Sequence, residues 1–350
     1  MKKIFRFLLT LLLIAVIVVG ALLGWLSATE YRPEPVESLA VRSISSDSVV
    51  LPSEGLRILS WNIGYAGLGA ECDFFMDGGT MSRPDSVATV NRYLDGIRET
   101  ISAADPMLVM LQEVDTDSGR TYRIDETTSL LKNSAAYALN YSCPFVPVPV
   151  PPIGRVHSGL FTTTDYTIDS AERISLPCPF SWPLRIANLK RCLLVSYLPL
   201  ERSDKQLVLV NLHLEAYDDG EGKIAQTNQL CEFIQSEYEK GNYVIAGGDF
   251  NQTFPGSLDA YPILTPDFWT PGVLEADLLP EGWQLAYDTA LPSCRLLNQP
   301  YASADAEHTQ YYVIDGFILS PNVELTSVKT LDCGFANSDH NPVELLVDLK

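Results

Sequence analysis

The sequence predicts an α/β fold, and three observations carry that prediction. Short apolar runs, such as residues 56–62, 107–111, 192–198 and 243–246, read as buried strands. Between them lie stretches whose apolar residues recur every three or four positions, the helical period. About 295 residues follow residue 55 without an internal repeat, enough for one large α/β sandwich.

The N-terminal elements come first. Lys2, Lys3 and Arg6 precede an apolar run over residues 7–26, which only Thr10 and glycines interrupt. Twenty such residues are about the length that spans a bilayer. A cleavable signal peptide has a shorter apolar core, and Leu26-Ser27-Ala28 makes a mediocre cleavage site, so residues 1–27 read as an uncleaved anchor. Positive charge before the run, and Glu30, Glu34 and Glu37 after it, place the rest outside the cytoplasm. With the anchor cleaved, the same domain would be secreted. Residues 28–55 hold Pro33, Pro35 and Pro52 and no helical period, and read as an extended linker to a domain at 56–350.

Charge and cysteine content narrow the function classes. The net charge is −20, and removing Lys2, Lys3 and Arg6 leaves −23 on the remainder. Such a surface disfavours tight binding to duplex nucleic acid. It does not exclude a small phosphate ester, because a bound cation inverts the local field. Seven cysteines lack CxxC or metal-type spacing; one or two disulfides are compatible with an exported domain, and the odd count leaves a thiol over. Cys192 and Cys231 fall in apolar periodic segments and read as core. Nothing in the sequence calls for a protein partner.

Within the domain, strand 56–62 ends on Asn62. Residues 84–104 carry Val87, Val90, Leu94, Ile97 and Ile101 at helical spacing, with Asp85 or Ser86 as the cap and Asp105-Pro106 as the stop. Strand 107–111 runs into Gln112-Glu113. A strand at 207–210 runs into Asn211-Leu212-His213. The helix after it shows Ile224, Leu230, Cys231, Ile234 and Tyr238 on one face, with Gly241 as its C-terminal cap. Strand 243–246 leads to Gly247-Gly248-Asp249-Phe250-Asn251, where two glycines permit a close backbone approach. Asp249 and Asn251, two residues apart, can point to one side of an extended chain. Residues 311–314 end on Asp315, and strand 343–349 follows Ser338-Asp339-His340-Asn341-Pro342. Each of these groups alone is compatible with a cap or turn. Six strand edges meeting acids, amides or imidazoles point instead to one site, because buried polar groups need partners. Oxygen ligands of this kind suit Mg²⁺ or Mn²⁺, and such a cation suits phosphate.

The ordered set Ser60-Trp61-Asn62, Leu111-Gln112-Glu113-Val114, Asn211-Leu212-His213, Gly248-Asp249-Phe250-Asn251, Ile314-Asp315-Gly316-Phe317 and Ser338-Asp339-His340-Asn341-Pro342 resembles the endonuclease/exonuclease/phosphatase superfamily across the whole exported domain. The resemblance implies a DNase I-like four-layer sandwich, two mixed β-sheets packed face to face with helices outside. It further implies Glu113 as the main metal carboxylate, with Asn62 beside it and Asp339 completing the metal or water site. Asp249 would orient or deprotonate the attacking water, and Asn251 and His340 would hold the phosphate. Asp315 would fix the tautomer of His340, and His213 would be an acid for the leaving oxygen. The implied activity is divalent-metal-dependent hydrolysis of a phosphate ester, more a phosphodiesterase than a monoesterase, on a small or lipid-linked substrate. A secreted-type nuclease and an inactive scaffold of the same fold are the alternatives. There is no Gly-x-Ser-x-Gly elbow and no Walker loop.

Several features depart from the family pattern or stand outside it. Gly64 occupies a position where abasic-site endonucleases carry a carboxylate. His157 falls where relatives have a phosphate-contacting residue, but reads more readily as an edge-strand histidine. Lys190-Arg191 reads either as a phosphate clamp or as a solvated pair. Residues 143–152 hold five prolines and predict a stiff polyproline-like loop. The seven-proline insert between Asn251 and Tyr311, with Trp269 and Trp283, either contacts the substrate or covers the sheet.

Overall fold

The computed structural model describes residues 1–45, 47–201, 203–275, 277–301 and 308–350. Among them lie two mixed seven-stranded sheets. The first runs β1 (Val36–Leu39), β7 (Ser170–Ser175), β8 (Cys192–Pro199), β9 (Gln206–His213), β10 (Tyr243–Asp249), β16 (Asp315–Leu319) and β13 (Gln284–Ala286). The second runs β17 (Val323–Thr330), β18 (Val343–Leu349), β3 (Leu56–Asn62), β4 (Leu108–Asp115), β6 (Gly154–Thr164), β5 (Ser134–Val146) and β2 (Arg42–Ser43). In each sheet one central pair, β9 with β10 or β3 with β4, is parallel and the rest antiparallel.

The layering follows from the two-residue period of a strand. Leu56 and Ile58 of β3 face Leu207 and Leu209 of β9 and Ile245 of β10 in a central core between the sheets. Leu59 and Trp61 point the other way, onto α2 (Val87–Ala104). Val208, Val210 and Val244 point outward onto Leu230 and Ile234 of α4 (Glu221–Glu239). Helix, sheet, sheet and helix make the four layers of the DNase I-like α/β sandwich.

Most elements lie where the periodicity puts them. Ser86 caps α2 by accepting from the Thr89 N–H at 3.2 Å, and Asp105 ends it at φ 46°. On α4 the expected face is shifted: Ile224 is 61% exposed, while Lys223 and Gln226 are buried. The reason is polar. Lys223 donates to Ala216 O and Asp218, and Gln226 bonds the Glu215 N–H and Pro177 O, so this turn packs through hydrogen bonds.

Three expectations about irregular segments change. The 28–55 segment is extended but not free: β1 pairs with β7 at the edge of one sheet and β2 with β5 at the edge of the other. The proline-rich 143–152 stretch is not a polyproline-like loop, since Cys143 and Val146 pair with β6 and residues 147–153 make the hairpin turn between the two strands. The apolar run 311–314 does not end a sheet strand on Asp315. Tyr311 and Tyr312 pair only with Cys294 and Arg295, and Asp315 starts β16. All seven cysteines are free thiols, with Cys192 and Cys231 buried as expected.

Ahead of the domain stands α1 (Lys2–Ala28), long and apolar enough to cross a membrane. Its last turns touch the domain: Leu26 is buried and Leu22 half-buried against Cys143, Val146, Ile153 and Ile186.

Candidate active site

Strand phase builds the site. Asn62 lies two residues along from Ser60 and four from Ile58, so it shares their face, toward the inter-sheet core. His213 follows Leu209 at the same phase, Asp249 follows Ile245, and Asp315 precedes Phe317 and Leu319. Each strand therefore carries its apolar side chains into the core and its last or first polar one to the core's end. Register then fixes neighbours: Asp249 pairs with His213 on one side and Asp315 on the other. Below them Gln112 donates to Asn211 Oδ1 at 2.8 Å, and Asn211 donates to Leu111 O, so a buried amide pair ties the two sheets together under the site.

Close backbone approach sharpens the geometry. A Cβ on Gly248, at φ 144°, would stand 2.0 Å from Leu212 O. A bulge in β4 between Leu111 and Val114 puts Glu113 at φ 55°, turning its carboxylate out of the alternation toward Asn62. Asn251, also left-handed at φ 50°, closes a tight turn in which its N–H donates to Asp249 Oδ1 at 2.8 Å.

The side chains converge. Asn62 Nδ2 lies 3.0 Å from Asp249 Oδ2 and 3.2 Å from Glu113 Oε1, while its Oδ1 accepts from the Gly64 N–H. So oriented, Asn62 clamps two carboxylates with its NH₂ group. His340 Nδ1 meets Asp315 Oδ2 at 2.8 Å, and Ser293 Oγ donates to the same carboxylate oxygen at 2.7 Å. His340 Nε2 faces Asp249 at 3.7 Å and Asp339 at 3.9 Å. His213 Nε2 is 3.4 Å from Asp249. All of these except Glu113 are buried.

Burial and charge set the protonation states. Burial pushes Asp249 up to about 7, with the positive His340 opposing and Asp315 assisting. Burial also lifts Asp339 to about 6, and the facing Glu113 adds to it. Burial alone would lower His340, but Asp315, Cys294 and Asp339 outweigh it and hold the imidazole well above its ordinary value. His213 goes the other way: burial, then Arg191 and His340, press it far down, so it is neutral.

Asn62, Glu113, His213, Asp249, Asn251, Asp339 and His340 all line one cavity of about 540 Å³, with Asp315 behind His340. Sequence comparison finds no matching family model and no matching curated protein. Structure comparison finds an endonuclease/exonuclease/phosphatase from Beutenbergia cavernae at TM-score 0.57 and 16% identity, over 85% of this chain and 72% of that one. The fold is that of the endonuclease/exonuclease/phosphatase proteins. ANGEL2, a 2',3'-cyclic phosphatase, is similar at TM-score 0.56 and 15% identity, over 89% of this chain and 98% of that one. The catalytic domain of human Nocturnin is similar at 0.50 and 16%, over 89% and 97%.

Within this endonuclease/exonuclease/phosphatase fold, the acidic groups fit a hard cation. Glu113 lies close enough to Asp339 for its charge to help raise that carboxyl, and an added Cβ on Gly64 would stand 2.9 Å from Asp339 Oδ1. Gly64 thus keeps open space beside the Asp339 carboxylate that a side chain would fill. Ligand atoms also converge within 4.8 Å in the sets Asp249–Asp315–His340 and Cys294–Asp339–His340, the second with a thiol among them.

The remaining sequence readings separate here. Lys190 and Arg191 part company: Arg191 is buried in the cavity wall beside His213, while Lys190 turns to Glu30 and Arg185 O. His157 bonds Thr116 Oγ1 at 2.7 Å, and its neighbour Ser158 lines the cavity instead. Trp269 lines the cavity, whereas Trp283 packs on Tyr238. Sequence reasoning missed Asp77, which accepts from Tyr217 OH at 3.0 Å and which burial lifts to about 7. It also missed Tyr65, whose ring lies under the Arg120 guanidinium at 3.5 Å. Both Asp77 and Tyr65 sit in loop or short-turn segments without a period to reveal them.

Proposed function

We propose that the chain is a divalent-metal-dependent hydrolase of phosphate esters, a phosphodiesterase acting outside the cytoplasm on a small or lipid-linked substrate. One observation carries this reading: acids, amides and imidazoles from five separate strand-end segments line a single cavity, with Asp315 from a sixth bonded behind His340. The fold, shared with a 2',3'-cyclic phosphatase, supports it.

Glu113 and Asp339, with Asn62 clamping Glu113, would hold Mg²⁺ or Mn²⁺, which when bound supplies charge neutralisation for a phosphoryl group. Asp249, positioned by Asn62 and the Asn251 N–H, accepts a proton from the attacking water. The water oxygen forms a bond to phosphorus, and the bond from phosphorus to the leaving oxygen breaks. Neutral His213 stands 3.4 Å from Asp249 and relays that proton to the leaving oxygen. Asn251 and the Asp315-oriented His340 hold the phosphoryl oxygens as charge builds on them. The products are an alcohol and a phosphate bearing one ester fewer.

A nuclease reading finds less support. The cationic residues in the cavity wall, Arg120, Arg191 and Arg295, are each at least nine-tenths buried, and no basic track leads away from them among the cavity-lining residues. A scaffold reading leaves the filled constellation without a purpose.

The test uses the full chain in detergent with bis(4-nitrophenyl) phosphate. Hydrolysis should require Mg²⁺ or Mn²⁺ and vanish in EDTA. Asp249→Ala should abolish it while thermal unfolding stays unchanged. Activity that survives EDTA, or an Asp249→Ala enzyme at the wild-type rate, sinks the reading.

A further inference from the structure

The cavity has two limbs of opposite chemistry. Its inner end is the polar constellation. Its outer limb is the apolar part of the lining, Val146, Val148, Leu184 and Ile186 together with Leu23 and Leu26 of α1, and Leu26 packs in one cluster with Val146 and Ile186. The apolar helix that is long enough to cross a membrane thus completes the wall of the same cavity that holds the catalytic groups.

This contact is built rather than grazing. Leu26 is 4% exposed. Trp182 Nε1 donates to Ser27 Oγ at 3.1 Å. One turn on, the buried Glu30 carboxylate takes Arg185 in a two-pronged pair at 2.8 and 3.2 Å, with Lys190 at 3.5 Å and Arg32 at 3.0 Å. The domain surface around the helix is apolar as well. Val148, Val150, Trp182 and Leu184 are 58%, 92%, 57% and 65% exposed, and Met76 at the cavity wall is 47% exposed. Large exposed apolar side chains, three of them (Met76, Val148 and Leu184) in the cavity wall, mark a surface meant for something other than water. Here they border the end of a bilayer-length helix, and Trp182 suits the membrane–water interface.

We propose that the substrate is an amphiphilic phosphate ester drawn from the bilayer in which α1 sits, its hydrocarbon chain lying in the outer limb against Leu23 and Leu26. This rests on the hydrolase reading and narrows its substrate class. The phosphate reaches the Asp249–His340 end while the chain stays in an apolar setting from membrane to site. The limb's apolar lining suits a hydrocarbon chain, and a nucleic acid offers nothing to fill it.

The experiment uses the full chain in phosphatidylcholine vesicles with two chromogenic diesters, 4-nitrophenyl hexadecyl phosphate and 4-nitrophenyl methyl phosphate. Hydrolysis adds water and breaks the bond to the nitrophenyl oxygen, releasing 4-nitrophenolate and hexadecyl or methyl phosphate. The long-chain ester should be preferred by at least tenfold in kcat/KM. Leu23→Trp, which fills the limb, should bring the ratio of the two rates toward one, as should Leu184→Asp at the exposed mouth, where folding is not at risk. A second readout needs no turnover: hexadecyl phosphate with a terminal diazirine, irradiated with Asp249→Ala protein, should label Ile153 or Ile186, and Leu23→Trp should suppress that label. Equal rates on both esters with no labelling overturn the channel and leave the hydrolase reading standing. Labelling without hydrolysis of either ester by the wild-type chain overturns the hydrolase reading and with it the assignment of the chain as substrate.

Discussion

Gly248 has no room for a side chain, because Leu212 O would stand 2.0 Å from any Cβ there. The obstacle is backbone on a central strand, so it cannot rotate away. Gly248→Ala should cost stability at the upper end of the roughly 1–3 kcal/mol typical of overpacking, and should lower activity by displacing Asp249. Thermal unfolding and turnover measured together check this; an unchanged melting temperature would show that β9 yields. His340 is the second residue to test. It is the imidazole that Asp315 and Ser293 hold in one orientation. His340→Ala should cut kcat by roughly 10²-fold or more, the scale of a positioned acid–base group, and a wild-type kcat would remove it from the mechanism.

Among the elements, the link between α1 and the domain responds to acid. Burial raises Glu30, but its hydrogen bonds with Arg185 and Arg32 and the charges of Lys190 and Arg185 outweigh that and hold the carboxyl below its usual value of 4.5. A depressed carboxyl stabilises the docked state above the unfolded value and loses that contribution as pH falls through the folded one. Docking should therefore be intact at neutral pH and weaken only below about pH 4.5. Hydrogen exchange over residues 29–35, corrected for the intrinsic rate, reads it out; loosening near pH 7 would contradict the assignment. The elements also show what sequence could reveal. β9 and β10 are buried on both faces and read as plain apolar runs. β17, exposed along much of its length, and β5, interrupted by Tyr137, Asn140 and Tyr141, give no such signal. β1 and β2 form only because distant edges accept them, which no local pattern encodes. The site divides the same way. Residues at the ends of buried strands, such as Asn62, His213 and Asp249, were legible. Asp77 and Tyr217 were not, since their loops are placed by tertiary contacts alone.

For the molecule as a whole, net charge and cavity shape point the same way. A chain at −20, whose cavity arginines are buried, should ignore polyanions. Excess duplex DNA should leave diester hydrolysis unchanged at low salt. Inhibition that fades as salt is added would reveal a nucleic-acid track and favour the nuclease reading.

Between Glu30, pinned by Arg185, and Ser43, paired into the second sheet, β1 also ties the chain to the first sheet. A domain on a loose leash sweeps a hemisphere and meets solutes by diffusion in three dimensions. This one, on the proposed reading, rides at a set height and a set azimuth above the bilayer, like a stylus on a groove. Its velocity should then follow the mole fraction of substrate within its own membrane. Fresh substrate supplied in separate vesicles should go untouched until the membranes fuse.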